Sequence, residues 1–222
     1  MTQPGQSVGD TGAGKVRAKQ LAGRVVDPIA RFMLRLHVSP DAVTVVGCLG
    51  ASIGALWLGS TGRLVAAVLV VALFASSDML DGSMARQAGR SGPWGAFLDS
   101  SLDRVTDAAV LGSLVIWYFR GGDDVVLACL ALYCLVAGML VSYVRARAEG
   151  LGFRAAGGLA ERTERLVLLA ITTLLAGAGV AYAQAFGFWV LAIASTITVF
   201  QRFVMVRRQA IDAGSAAASA DD

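Results

Sequence analysis

Four aspartates fall within the 26-residue segment DMLDGSMARQAGRSGPWGAFLDSSLD, which runs from Asp78 to Asp103. Asp78 and Asp81 are three apart and Asp99 and Asp103 are four apart, so on helices each pair shares a face. Arg90 lies nine residues from both Asp81 and Asp99. A chain reversal near Arg90 therefore sets the two pairs at equal depth, roughly 13 Å from the turn along each helix. Four carboxylates at close quarters repel one another unless cations neutralise them, and hard oxygen donors suit Mg²⁺ or Mn²⁺. Such ions also bind phosphates, and two of them can clamp the attacking and leaving oxygens of a phosphoryl displacement. Gly82 and Ala85 leave a helix face open for a bulky group, Gly95 clears space before Asp99, and Arg86 is a candidate phosphate ligand. Plain pairing of the aspartates with Arg86, Arg90 and Arg104 would explain one or two of these charges, but not the whole pattern.

The elements that carry these residues are read from the gaps between charges. No charged residue occurs in the 21 positions between Asp41 and Arg63, the 20 between Asp124 and Arg145, or the 36 between Arg165 and Arg202. A membrane helix needs roughly 20 predominantly apolar residues. Six spans are expected, at 40–60, 63–88, 94–119, 124–149, 160–181 and 185–209, giving an all-α integral membrane protein rather than a large soluble helical one. Leu21, Val25, Ile29, Phe32, Met33 and Leu36 recur at helical spacing among Lys15, Arg17, Lys19, Arg24, Arg31 and Arg35, which reads as a basic amphipathic juxtamembrane helix over 15–38. Residues 1–14 and 211–222 are small and polar and read as disordered, leaving 39–210 as the six-helix domain. Seventeen of the nineteen lysines and arginines fall on one side of this topology, all but Arg63 and Arg120. That bias puts both termini and the aspartate cluster at the cytoplasmic face of the cell membrane. Cys48, Cys129 and Cys134 lie in apolar stretches with no metal-binding spacing, and His37 has no ligand partner. Basic residues interleaved with stacking aromatics are missing, so no nucleic-acid partner is expected.

The pattern D-x-x-D-G-x-x-A-R-(x)8-G-x-x-x-D-x-x-x-D is filled at every fixed position and resembles the signature of the CDP-alcohol phosphotransferases. The resemblance extends over nearly the whole chain. It implies homodimers of six-helix protomers, with Asp78, Asp81 and Asp99 as metal ligands and Asp103 as the general base that also touches a metal. It implies that Gly82, Ala85 and Arg86 contact the CDP moiety of a CDP-activated lipid such as CDP-diacylglycerol. An acceptor hydroxyl would attack the lipid-bearing phosphorus and release CMP, assisted by Mg²⁺ (or Mn²⁺), with two ions per site. Ser39, Pro40, Asp41, Ala42, Val43 and Thr44 resemble the family's P-(N/D)-x-x-T element. A plain helix cap and a nucleotide contact remain open readings for those residues.

For the acceptor, Arg145 and Arg147 end the fourth span, Arg162 and Arg165 begin the fifth in E-R-T-E-R, and Arg202 sits near the end of the sixth. They either mark cytoplasmic helix ends or surround a second anion, for which arginine's bidentate geometry is suited. VSYVRARAEG and ERTERL are similar to segments of the actinobacterial phosphatidylinositol phosphate synthases, whose acceptor is myo-inositol phosphate. Thr163 stands where that branch commonly has proline, and Arg145 where it usually has lysine. The resemblance implies Arg145, Arg162 and Arg202 as acceptor-binding residues, and Arg165, from its place among the same arginines, is a further candidate. Phosphatidylglycerophosphate synthesis from glycerol 3-phosphate is the alternative within the class. A divalent-cation transporter is the alternative outside it, and would spread its acids through the membrane depth. Asp107 extends the i, i+4 series beyond the signature and reads as structural, paired with an arginine.

Overall fold

The structure, a computed structural model, describes residues 24, 26–89 and 92–218 of the 222. Among them every regular element is helical. A helix over 26–35 (α1) is followed by α2 (Pro40–Gly54), which ends in a wider π turn at Ala55–Gly59, then by α3 (Leu64–Ala75) and α4 (Ser77–Gln87). Next come α5 (Pro93–Arg120), α6 (Val125–Glu149), α7 (Arg162–Gly177) and α8 (Ala183–Ala218). Four stretches are long and apolar enough to cross a membrane: Pro40–Gly59, Leu64–Gln87, Val125–Glu149 and Ala183–Gly214. The other two expected spans differ for visible reasons. Helix α5 has 28 residues but carries Asp99, Asp103, Arg104 and Asp107, and α7 has only 16 residues. Helix α8 continues to Ala218, past residue 210 where the sequence places the end of the helical domain. Residues 1–14, and 15–23 of the expected amphipathic helix, lie outside the described residues.

The chain divides into two compact units. The first takes the chain up to Cys48 together with Leu73–Leu102. Its small core joins α1, α2 and α4 through Ala30, Val43 and Met84, with Met33, Leu34, Val38 and Leu80 packed around them. Polar contacts fix α1 on α4. Ser83 Oγ donates to Asp27 Oδ1 at 2.7 Å, and Gln87 Nε2 donates to Ser83 Oγ at 3.0 Å. Helix α1 stops where His37 takes a left-handed conformation with φ 61°, allowing Val38 N to donate back to Met33 O. Ser39 Oγ then accepts from Ala42 N at 3.2 Å and starts α2, with Pro40 in the first turn.

The second unit takes Leu49–Ala72 and the chain from Asp103 onward. Its core gathers Leu64, Leu111, Leu114, Tyr118, Leu169, Phe188 and Leu191, and the Tyr118 and Phe188 rings meet edge to face at 6.1 Å. Helices α6 and α7 pack on α8. Ala128, Ala131, Cys134, Ala137, Gly138 and Val141 form a buried, mostly small-residue stripe on α6 at helical spacing. In hydrocarbon the apolar effect between helices is weak, and small residues let backbones approach closely. Phe186, Trp189, Ile193, Phe200 and Phe203 point outward from α8, a surface suited to lipid tails rather than to water.

Between α6 and α7 the chain runs as an irregular loop over 150–161, held at both ends by α8. Gln209 accepts from Arg154 N at 2.9 Å and donates to Arg154 O at 2.6 Å. Thr198 Oγ1 accepts from Ala160 N at 3.0 Å. Gly157 and Gly158 have φ of 91° and 134°, and a Cβ on Gly158 would collide with the Thr198 side chain. Gly158→Ala should therefore combine backbone strain with a clash, destabilising the protein by roughly 1–3 kcal/mol. Thermal unfolding in detergent micelles checks this, and an unchanged melting temperature would show that the loop is not locked in this conformation.

Candidate active site

Helix α4 begins afresh at Ser77, after a turn at Ser76 in which the Ser76 and Ser77 hydroxyls donate to Leu73 O and Phe74 O. Asp78 thus sits in the first turn of its own helix, where the helix dipole favours an acid. The reversal expected near Arg90 falls between the end of α4 at Gln87 and the start of α5 at Pro93, while Arg90 itself lies outside the described residues. In the first unit, Asp78 and Asp99 offer carboxylate oxygens within 4.8 Å of each other. One turn further along α5, Asp103 brings an oxygen within 4.8 Å of that of Asp99. Asp78 and Asp99 are exposed, and Asp103 is partly buried. Hard oxygen donors at the spacing of Asp78 and Asp99 fit a divalent cation, and neither is sealed off from a substrate.

Asp81, expected in the same group, is not among these three. Its Oδ2 accepts a 2.5 Å hydrogen bond from Thr44 Oγ1, which orients the carboxylate from α2. Within the P-(N/D)-x-x-T element the side chains divide their work. Ser39 caps the helix, Asp41 Oδ2 accepts from the Trp94 indole at 3.0 Å, and Thr44 holds Asp81. Ala42 is exposed and Pro40 buried. On α4, Arg86 is exposed and Ala85 partly so, and a Cβ at Gly82 would stand 3.3 Å from Arg86 Nη1. The glycine therefore leaves the space that the guanidinium uses.

The second unit holds the cationic part. Arg162, at the start of α7, places Nη2 2.7 Å from Asp103 Oδ1 and Nε 3.5 Å from Asp107 Oδ1. Arg104 lies 3.3 Å from Asp107 and 3.9 Å from Asp103, and also donates to Ser142 Oγ. Arg165 is largely buried, donates to Ala160 O at 3.0 Å and stands 4.0 Å from Asp107. Arg145 is exposed and paired with Glu149 at 2.8 Å. Arg202 differs from its expected role. It is 2% exposed and donates to Gly157 O at 3.1 Å and to Val141 O at 2.5 Å, so in this structure it clamps the 150–161 loop. Of this network only Asp103 belongs to the signature, and Asp107 and Arg104 are the members that the sequence reading did not place at the site. The continued i, i+4 spacing after Asp103 was the signal for Asp107.

A model of the CDP-alcohol phosphatidyltransferases matches residues 37–212. The chain belongs to that family. It is accordingly a transferase and an all-helical membrane protein. It is 42% identical over 209 residues to the phosphatidylinositol phosphate synthase of Streptomyces avermitilis, covering 91% of this chain and 86% of the relative. It is 43% identical over 183 residues to the Corynebacterium glutamicum enzyme of the same name, covering 82% and 83%. The crystal structure of the Mycobacterium tuberculosis phosphatidylinositol phosphate synthase with CDP-DAG bound superposes with a TM-score of 0.80 at 40% identity, over 82% of this chain and 94% of that one. A second structure of that enzyme, in complex with manganese and citrate, gives 0.77 over 82% and 88%.

The Thr44–Asp81 bond carries a test. A hydrogen bond to a charged group contributes about 1.5–3 kcal/mol, and removing a residue that orients a ligand typically weakens metal binding about tenfold or more. Thr44→Val should lower Mn²⁺ affinity by at least about tenfold, read by electron paramagnetic resonance of free Mn²⁺. Undiminished affinity would show that the orientation of Asp81 plays no part in metal binding.

Proposed function

We propose that this protein is a phosphatidylinositol phosphate synthase, transferring the phosphatidyl group of CDP-diacylglycerol to myo-inositol phosphate with release of CMP. The observation that carries the reading is Arg162 in contact with Asp103, a fixed cation beside the acid that would receive the acceptor's proton. It is joined by the match to relatives of that name over more than 80% of the chain.

Asp78, Asp81, Asp99 and Asp103 would hold Mg²⁺, or Mn²⁺, as two ions. When bound, such ions neutralise the pyrophosphate and the charge that develops on the leaving phosphate. Arg86, in the space that Gly82 leaves, pairs with a phosphate of the nucleotide, and the start of α2 from Ser39 to Thr44 borders the same ligand. Asp103 accepts the proton of the attacking inositol hydroxyl. That oxygen forms a bond to the phosphorus carrying diacylglycerol, the bond from phosphorus to the CMP oxygen breaks, and CMP leaves as the anion. Arg162 binds the acceptor's own phosphate, with Arg145 and Arg165 beside it and Arg202 acting through the loop it clamps. The reading has six spans, α5 and α7 completing the four apolar ones, with the helix at 26–35 on the membrane surface; the bias of seventeen of nineteen lysines and arginines to one side supports a site and both termini at the cytoplasmic face of the cell membrane. The assembly is a homodimer.

Acceptor competition tests the reading. Purified protein with CDP-diacylglycerol and Mg²⁺ receives inositol phosphate, free inositol or glycerol 3-phosphate, and the lipid product is identified by mass. Phosphatidylinositol phosphate should form from the first alone. Product from glycerol 3-phosphate alone would overturn the acceptor and keep the chemistry.

Two variants separate the roles. Asp103→Asn should abolish turnover while CDP-diacylglycerol binding persists, and binding lost as severely as in Asp78→Asn would contradict a base role. Arg162→Ala should raise the acceptor KM roughly tenfold or more, with that for CDP-diacylglycerol little changed. An unchanged acceptor KM would remove Arg162 from the acceptor site.

A further inference from the structure

Asp107 lies outside the family signature, yet three guanidinium groups converge on it. Arg104 stands at 3.3 Å, Arg162 at 3.5 Å and Arg165 at 4.0 Å. The residue is 8% exposed, and a buried carboxylate that organises three arginines is strongly committed to them. Of the three, Arg162 is the most exposed, with 30% of its side chain accessible, so it has the most freedom to leave. Its Nε faces Asp107 and its Nη2 faces Asp103, while Nη1 stands outside both ion pairs. Arg162 therefore has one anchor that is a proposed reacting group and one that is not.

The geometry points to Asp107 as a positioning residue for acceptor recognition: its charge, 3.5 Å from Arg162 Nε with no hydrogen bond between those two atoms, steadies the guanidinium so that it can receive the acceptor's phosphate. This rests on the acceptor role proposed for Arg162. Charge explains why an anion is needed at this position. Asp103 and Asp107 against Arg104, Arg162 and Arg165 leave a net charge of +1, enough to attract a phosphate. Without Asp107 the same group carries +2, and the arginines repel one another at close range. The one nearest solvent, Arg162, then swings outward with only its contact to Asp103 to hold it. In that position it is misplaced for the incoming phosphate, whereas the nucleotide contacts proposed for α2 and α4 involve none of these residues.

The experiment uses the full-length protein in detergent or lipid, with CDP-diacylglycerol, Mg²⁺ and varied inositol phosphate. Asp107→Asn should raise the acceptor KM about tenfold or more, with the KM for CDP-diacylglycerol within about twofold of wild type. Asp107→Glu, which restores the charge on a longer arm, should recover part of that loss. If Asp107→Asn does not fold, as judged by size-exclusion chromatography and melting temperature, Asp107→Glu carries the test with the same split between the two KM values. In an Arg162→Ala background, Asp107→Asn should add little further loss, because its effect runs through that arginine.

Equal changes in both KM values, or an undiminished effect without Arg162, would overturn the proposal. If wild-type protein instead accepts only glycerol 3-phosphate, the reading of the acceptor fails by itself, and the same cycle run with that phosphate still decides the role of Asp107.

Discussion

Carboxylates in an otherwise apolar helical frame are the constraint on which the rest of this structure depends. An uncompensated charge away from water is strongly unfavourable, so each acid needs water, a cation or a guanidinium within reach. The solution differs between the two units. In the first, Asp78 and Asp99 stay exposed, and Asp81 is held by a neutral hydroxyl. In the second, Asp103 and Asp107 are more buried and are matched by fixed arginines. The first arrangement leaves carboxylate oxygens available to metal ions. The second provides positive charge that does not depend on them.

This division explains local features that would otherwise look like defects. A continuous helix from Leu64 to Gln87 is instead broken at Ser76, so that Asp78 falls at a new helix start, where an acid is favoured. Helix α5 is long enough to span a membrane but is not uniformly apolar, because it carries the acids and Arg104. Its polarity is concentrated between Asp99 and Asp107, and the remainder to Arg120 returns to apolar residues such as Leu111 and Leu114, which join the core.

Much of this was legible in the sequence, and the reason is physical. Membrane helices require long apolar stretches, so the sequence located the four long apolar helices to within several residues, as with 124–149 against the observed Val125–Glu149. The aspartates were legible because helical spacing and a reversal between α4 and α5 suffice to bring Asp78 near Asp99. What was not legible depends on side chains from distant segments. Spacing cannot show that Thr44 is bonded to Asp81, 37 residues away, or that Asp41 is taken by Trp94. Nor can it tell an arginine that faces a ligand from one that closes a loop. Arg162 and Arg202 look alike in sequence, yet one sits against two carboxylates and the other donates to backbone carbonyls. The difference arises because the 150–161 loop has carbonyl groups that need donors, and α8 passes close enough for Arg202 to supply them.

The small residues of α6 connect packing to this electrostatics. Gly138 lies in the buried stripe by which α6 packs in the bundle, and a Cβ there would stand 3.5 Å from Arg165 Nε. That is ordinary contact distance, so the Arg165 guanidinium lies directly against the α6 surface at this position, its long side chain running along the helix. From there Arg165 reaches both Ala160 O and the neighbourhood of Asp107. A bulkier residue at 138 would press on a guanidinium whose partners are already fixed, and the shift would pass to Asp107 and hence to Arg104 and Arg162. Core packing and placement of the arginines are thus one problem in this unit: the residue sizes that let the helices pack also set how many guanidinium groups can share one acid.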